Sequence, residues 1–176
     1  MAAKGQSFAL KTNLLYGATA TANFGVEIAL CKKFTLDIAG NYNAWNVLDG
    51  QQWHHIMVQP ELRLWLCDRF NRHFFGLHAL GGQHDVYGLN LPSDLAPSLK
   101  DNNFRGVFAG GGLSYGYQWI LGKRWLLEAT LGVGYLYIRS DRYENPESDI
   151  KLNEKPVEGY YVRPTKLGLS IAFLIF

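Results

Sequence analysis

Between Trp125 and Ser140 the chain reads WLLEATLGVGYLYIRS, with apolar side chains at Trp125, Leu127, Ala129, Leu131, Val133, Tyr135 and Tyr137. Glu128, Thr130, Gly132 and Gly134 fall between them. A period of two marks a strand with one apolar and one polar face. The same alternation recurs in eight segments: 8–17, 22–31, 33–46, 53–67, 72–87, 104–120, 124–138 and 160–175. It is weakest in the fifth, where HFFGLHALGGQHD loses its alternation past Ala79. No segment longer than these reads as an amphipathic helix, and there is no tandem repeat.

The connections alternate in kind. CKK (Cys31–Lys33), CDRFN (Cys67–Asn71) and LGKR (Leu121–Arg124) are tight and basic. VLDGQQ (Val47–Gln52), Gly88–Asn103 and Ser140–Gly159 are longer and polar, and only GATAT (Gly17–Thr21) is short on that side. Short turns at one end and long loops at the other predict an all-β, eight-stranded antiparallel up-and-down transmembrane β-barrel spanning residues 1–176 as a single domain. An even strand number leaves both termini at the short-turn, periplasmic end.

The two faces decide which way such a sheet points. One carries Phe24, Val26, Ile28 and Leu30, then Phe34, Leu36, Ile38 and Tyr42, with His54, Ile56, Val58, Pro60, Leu62, Leu64 and Leu66 in the fourth segment. Val107, Ala109, Leu113, Tyr115, Tyr117 and Trp119 continue it, as do Tyr161, Leu167, Leu169, Ile171, Phe173 and Ile175. The other face carries Lys11, Asn13, Glu27, Asp37, Asn41, Asn43, Gln59, Glu61, Arg63, His78, Ser114, Gln118, Glu128 and Lys166, interleaved with glycines. A soluble lipocalin-like ligand-binding barrel, the alternative, needs apolar residues inside and polar ones outside. An eight-stranded interior is too narrow for the Trp, Tyr, Phe and Leu of every strand. The reverse arrangement fits: aliphatic residues face acyl chains, and glycines leave room for charged lumen side chains. Trp119 and Trp125 flank one short turn, with Tyr135 and Tyr137 about ten residues up the strand, a climb of roughly 25 Å. These four are the expected aromatic girdle.

Composition narrows the classes without choosing among them. The 176 residues, 19.9 kDa, carry a net charge of +2, too mild to argue for nucleic acid. No stretch approaches the roughly 18 uncharged apolar residues of a spanning helix. The start, MAAKGQSFALKTNLL, has no apolar core of a signal peptide, so an exported protein would show its mature form here. Phe176 is aromatic but shares the parity of Lys166 and Ser170, whereas Phe173 and Ile175 lie on the lipid-facing side.

The expected lumen network is Lys11, Glu27, Asp37, Glu61, Arg63, His78, Glu128 and Lys166: three cations and four carboxylates, with a histidine, filling a closed lumen rather than lining a diffusion pore. Catalytic residues, metal and cofactor are not expected. His54, His55 and His84 sit toward the longer-loop end, where a lipid-modifying barrel enzyme would place its chemistry, yet no spacing ties Ser93, Ser98 or Ser140 to a histidine. The same histidines show no zinc-type spacing with cysteine. Cys31 and Cys67 close strands at one end with a strand between, roughly 10 Å apart, beyond the ~7 Å reach of a disulfide, so free thiols are expected. In the loop 88–103, PSDLAPSL has a helix-start look, with Leu91, Leu95 and Leu99 on one face. The loop 140–159 mixes both charge signs.

KTNLLYGATATANFGVEIAL (Lys11–Leu30), QPELRLWLCDRFNRHFFGLHALGGQHD (Gln59–Asp85) and RPTKLGLSIAF (Arg163–Phe173) resemble an uncharacterised outer-membrane β-barrel family of Bacteroides-type bacteria, a domain of unknown function. The resemblance implies a bacterial outer-membrane location, a precursor with a signal peptide, assembly by the barrel-insertion machinery and no established activity. The expected role is structural, in surface interaction or in envelope assembly, and non-enzymatic. Expected partners are outer-membrane lipid, lipopolysaccharide and a surface protein met through loops 88–103 and 140–159.

Overall fold

A computed structural model describes residues 7–45, 52–87, 103–144, 151–152 and 155–175. In them the chain forms strands β1 (Phe8–Asn13), β2 (Ala22–Ala29), β3 (Phe34–Asn43), β4 (Gln52–Trp65), β5 (Arg72–Tyr87), β6 (Asn103–Ile120), β7 (Trp125–Tyr143) and β8 (Val157–Ile175). Each pairs antiparallel with its neighbour in sequence, and β8 returns to β1, so that one sheet closes on itself. The connections 31–33, 67–71 and 121–124 therefore lie together at one end.

The first segment is shorter than the alternation predicts. Asn13 ends β1 because its side chain accepts a hydrogen bond from Leu15 N (3.1 Å), capping a five-residue helix, α1 (Leu14–Ala18), at the upper rim. The same side chain binds Leu167 O and Leu169 N, which fixes the helix to β8. At the other seam, β7 and β8 run further than expected. Residues 140–143 and 157–159 of the expected loop are therefore strand.

Strand β8 also contains an irregularity that changes a face. Gly132 pairs with Lys166 but Val133 pairs with Pro164, leaving Thr165 as an extra residue. Proline lacks the N–H that a regular ladder would use there, and a bulge accommodates it. The bulge reverses the parity above it. Tyr160 and Val162 stand opposite Tyr137 and Tyr135 on the outer face, while Tyr161, expected on that face, pairs with inward Leu136.

Tight closure comes from glycine at the β6–β7 seam. Gly112 and Gly134 face each other across the ladder. A Cβ on either would run into the carbonyl of Val133 or Gly111 on the opposite strand. Only hydrogen lets the two backbones approach so closely at this corner.

Candidate functional site

The interior is layered. At the short-turn end lies an apolar plug of Ala9, Trp65, Phe70, Phe74, Leu126, Ala172 and Leu174. Phe70 reaches it by adopting φ 60, a left-handed conformation unusual for an aromatic residue, and its ring lies 6.1 Å from that of Trp65. Packing against Trp65 holds that strained backbone in place. The plug was not expected from the sequence: Phe70 lies in the connection 67–71, outside any alternation, and the other members occupy single inward positions near strand ends.

The ionic layer lies directly above, centred on Arg63. Its guanidinium donates from Nε to Glu61 (2.9 Å), from Nη1 to Glu27 (2.8 Å) and Glu128 (2.9 Å), and from Nη2 to Asp37 (2.9 Å). Lys11 donates to Glu27 (3.1 Å) and Glu128 (2.8 Å), and Lys166 pairs with Glu61 and with Asp37 (3.5 Å). Hydroxyls complete the carboxylates: Thr35 donates to Glu27, Ser114 to Glu61 and Thr130 to Glu128. The planar fork of Arg is suited to the centre because it has five fixed donors, where Lys has one point charge.

Plug and network are mechanically joined. The Trp65 indole donates to Thr35 Oγ1 (2.9 Å), whose hydroxyl in turn donates to Glu27. The Arg63 guanidinium carbon stands 4.3 Å over the Phe74 ring, a cation–π contact in a dry setting. Gly76 makes space for this layer, since a Cβ there would collide with the Glu61 carboxylate and Ser114 Oγ.

His78, the eighth expected network member, stands one level higher. Its Nε2 is 2.8 Å from Thr165 Oγ1, and Gln59 donates to the Thr165 carbonyl (3.0 Å). The bulge thus turns Thr165 inward to serve both. A void of about 30 Å³ extends from Lys11, Arg63 and Glu128 of the ionic layer to Asn41 and Gln59, and a larger cavity, about 290 Å³, lies at the rim. Tyr16, Trp53, His55 and Thr165 line the latter.

Outside, the distribution inverts. Strands β2 to β8 all present exposed large apolar side chains, among them Leu113 (66%), Leu131 (61%) and Leu167 (60%), whereas Arg63 and Glu27 are 0% exposed. Of the four girdle residues, Trp119, Trp125 and Tyr135 are exposed, and Tyr137 is half-covered. Trp125 packs edge-on against Phe173 (5.0 Å), and the Tyr137 and Tyr160 rings meet at a tilt (4.9 Å). Both cysteines are exposed free thiols.

At the rim the histidines separate by face. His54 is opposite Asp85 on the outer side, and Asp85 pairs with Arg105 (3.1 Å). His55 and His84 belong to the inner row, and His84 Nε2 reaches Ser140 Oγ at 2.8 Å. Gly106 stands between their strands in register, so no side chain blocks the reach. No periodicity could have revealed this pair, 56 residues apart in sequence. Nearby, a hydrogen bond to Asp141 (2.7 Å) holds the Lys151 ammonium above its ordinary range. Among the described residues no group of three or more His, Cys, Asp or Glu is placed to hold a metal. Ser93, Ser98, Leu91, Leu95, Leu99 and Phe176 lie outside the described residues, as does nearly all of the loop 88–103.

Residues 1–175 match the family model described as a protein of unknown function (DUF3575), and the chain belongs to that family. No curated protein and no solved structure matches it.

Proposed function

We propose that this DUF3575 member is an integral barrel of a bacterial outer membrane with a closed, side-chain-filled lumen, serving a structural, surface-interaction or envelope-assembly role. The observation that carries the reading is the inversion itself: an apolar belt on β2–β8 around a buried ionic core. In water such a belt would far exceed the few hundred Å² of contiguous apolar surface a soluble monomer tolerates. In hydrocarbon each of those Leu, Val and Ile side chains recovers about 1.5–3 kcal/mol. The plug closes the short-turn end, which argues against conduction. The work then falls to the long-loop end, where lipopolysaccharide or a surface protein would meet loops 88–103 and 140–159. A heat-modifiability gel tests the reading: folded protein in detergent migrates apart from the boiled sample. Identical migration, with monodisperse behaviour in plain buffer, would support a soluble barrel instead.

The His84–Ser140 contact favours a second reading, a lipid-modifying enzyme. Ser140 Oγ would attack an ester carbonyl while His84 Nε2 takes the hydroxyl proton and passes it to the departing alcohol; water then releases the acyl group. Asp85, next to His84, turns to Arg105 on the outer face instead of orienting the imidazole, so the structural role is preferred. Fluorophosphonate labelling of Ser140 that disappears in His84→Ala would reverse that preference.

A further inference from the structure

The short-turn end is strongly polarised. Lys32, Lys33, Arg69, Lys123 and Arg124 occupy the three tight connections, Arg72 opens β5, and Asp68 is the single acid among them. Six cations against one carboxylate leave these positions at net +5, in a chain whose total is only +2. The rest of the molecule is therefore net negative, and the charge is concentrated at one rim.

That rim is built, not loose. Arg69 N donates to Lys32 O (3.0 Å), Trp65 N to Lys33 O (2.8 Å) and Leu174 N to Arg124 O (2.8 Å), tying the turns to one another and to the strands. Arg124 stands 5.9 Å over the Phe173 ring, which packs against Trp125. The cations thus begin where the aromatic edge of the apolar belt ends, the level at which headgroups meet acyl chains. Long basic side chains at such a level lay their stems on apolar surface and lift their charge into the headgroup layer.

We propose that this rim is an anionic-lipid interaction surface, selecting acidic phospholipid headgroups of the leaflet that surrounds the short-turn end. The inference rests on the membrane-spanning reading and adds a lipid preference to it. Each cation near an anionic surface favours binding about fivefold, and added salt weakens the gain by shortening the Debye length over which it acts.

Brominated lipids test both levels at once. Trp45 and Trp53 belong to the opposite end and are replaced by Phe, leaving Trp119 and Trp125 as belt reporters over a constant buried Trp65. The protein is folded into phosphatidylcholine vesicles with equal fractions of brominated phosphatidylglycerol or brominated phosphatidylcholine. Quenching at least about twofold stronger by the acidic lipid is expected, falling to parity in 0.5 M NaCl and in K32Q/K33Q/K123Q/R124Q. Should that variant not fold, the salt titration of the unaltered rim decides alone. Equal quenching by both lipids overturns the acidic-lipid preference while leaving the spanning reading intact. Quenching by neither overturns both. Inorganic phosphate must act no more strongly than chloride at matched ionic strength; a selective phosphate effect would assign the cations to a discrete phosphate site and overturn the lipid assignment.

Discussion

Arg63→Ala is the most informative single perturbation of the lumen. The guanidinium makes charged hydrogen bonds to four carboxylates, all buried. At roughly 1.5–3 kcal/mol per charged bond, simple addition would give a loss of about 6–12 kcal/mol. That sum overstates the effect, because Lys11 already contacts Glu27 and Glu128 while Lys166 contacts Glu61 and Asp37. Every carboxylate keeps at least one cation, Asp37 both, and two cations remain for four anions. The expected cost is that of stranding a buried charge, about 3–5 kcal/mol. Glu61→Ala should fall in the same range, and the double variant should cost about 1–3 kcal/mol less than the sum. Denaturant unfolding in phospholipid vesicles, followed by the heat-modifiable band, measures all three. Unfolding free energies within about 1 kcal/mol of the parent for both single variants would refute the idea that this layer holds the lumen together.

Other outcomes follow from the same geometry. Gly112→Ala or Gly134→Ala places a Cβ against an opposing carbonyl and should cost about 3 kcal/mol, or prevent closure, in the same unfolding assay. Trp65→Ala should destabilise by about 3–5 kcal/mol through the cavity left in the plug. In planar bilayers the parent should show no steady conductance; if Trp65→Ala conducts, the plug is the seal. Cys31 and Cys67 should both take up maleimide in the folded state without a prior reductant, as exposed free thiols, which mass spectrometry reads directly. Deleting the loop 88–103 should leave the heat-modifiable band in place while removing a surface partner in crosslinking.

Much of the fold was legible because a two-residue period survives translation into three dimensions with little loss. Glu27, Asp37, Glu61, Arg63 and Glu128 sit on strands that pair in sequence order, so sharing a face and a height was enough to bring them together. Parity fails where one residue is inserted: the extra Thr165 moved Tyr161 off the outer face and sent Tyr160 and Val162 there instead. It also weakens where faces change character. Leu80 and Val86 are inward and apolar, Gln83 is outward and polar, and this is why β5 looked irregular past Ala79. The plug depends on one backbone torsion at Phe70, which composition does not encode. The His84–Ser140 contact depends on the missing side chain of Gly106 between them, a relation visible only once register is known.

The central claim is that the apolar side of this sheet meets hydrocarbon. Nitroxide labels placed one at a time from Leu127 to Val133, with Cys31 and Cys67 replaced by serine, test it in vesicles. Leu127, Ala129, Leu131 and Val133 should be open to oxygen and closed to an aqueous nickel chelate, while Glu128, Thr130 and Gly132 should be shielded from both. Free access of the chelate to the odd-numbered positions would contradict the account.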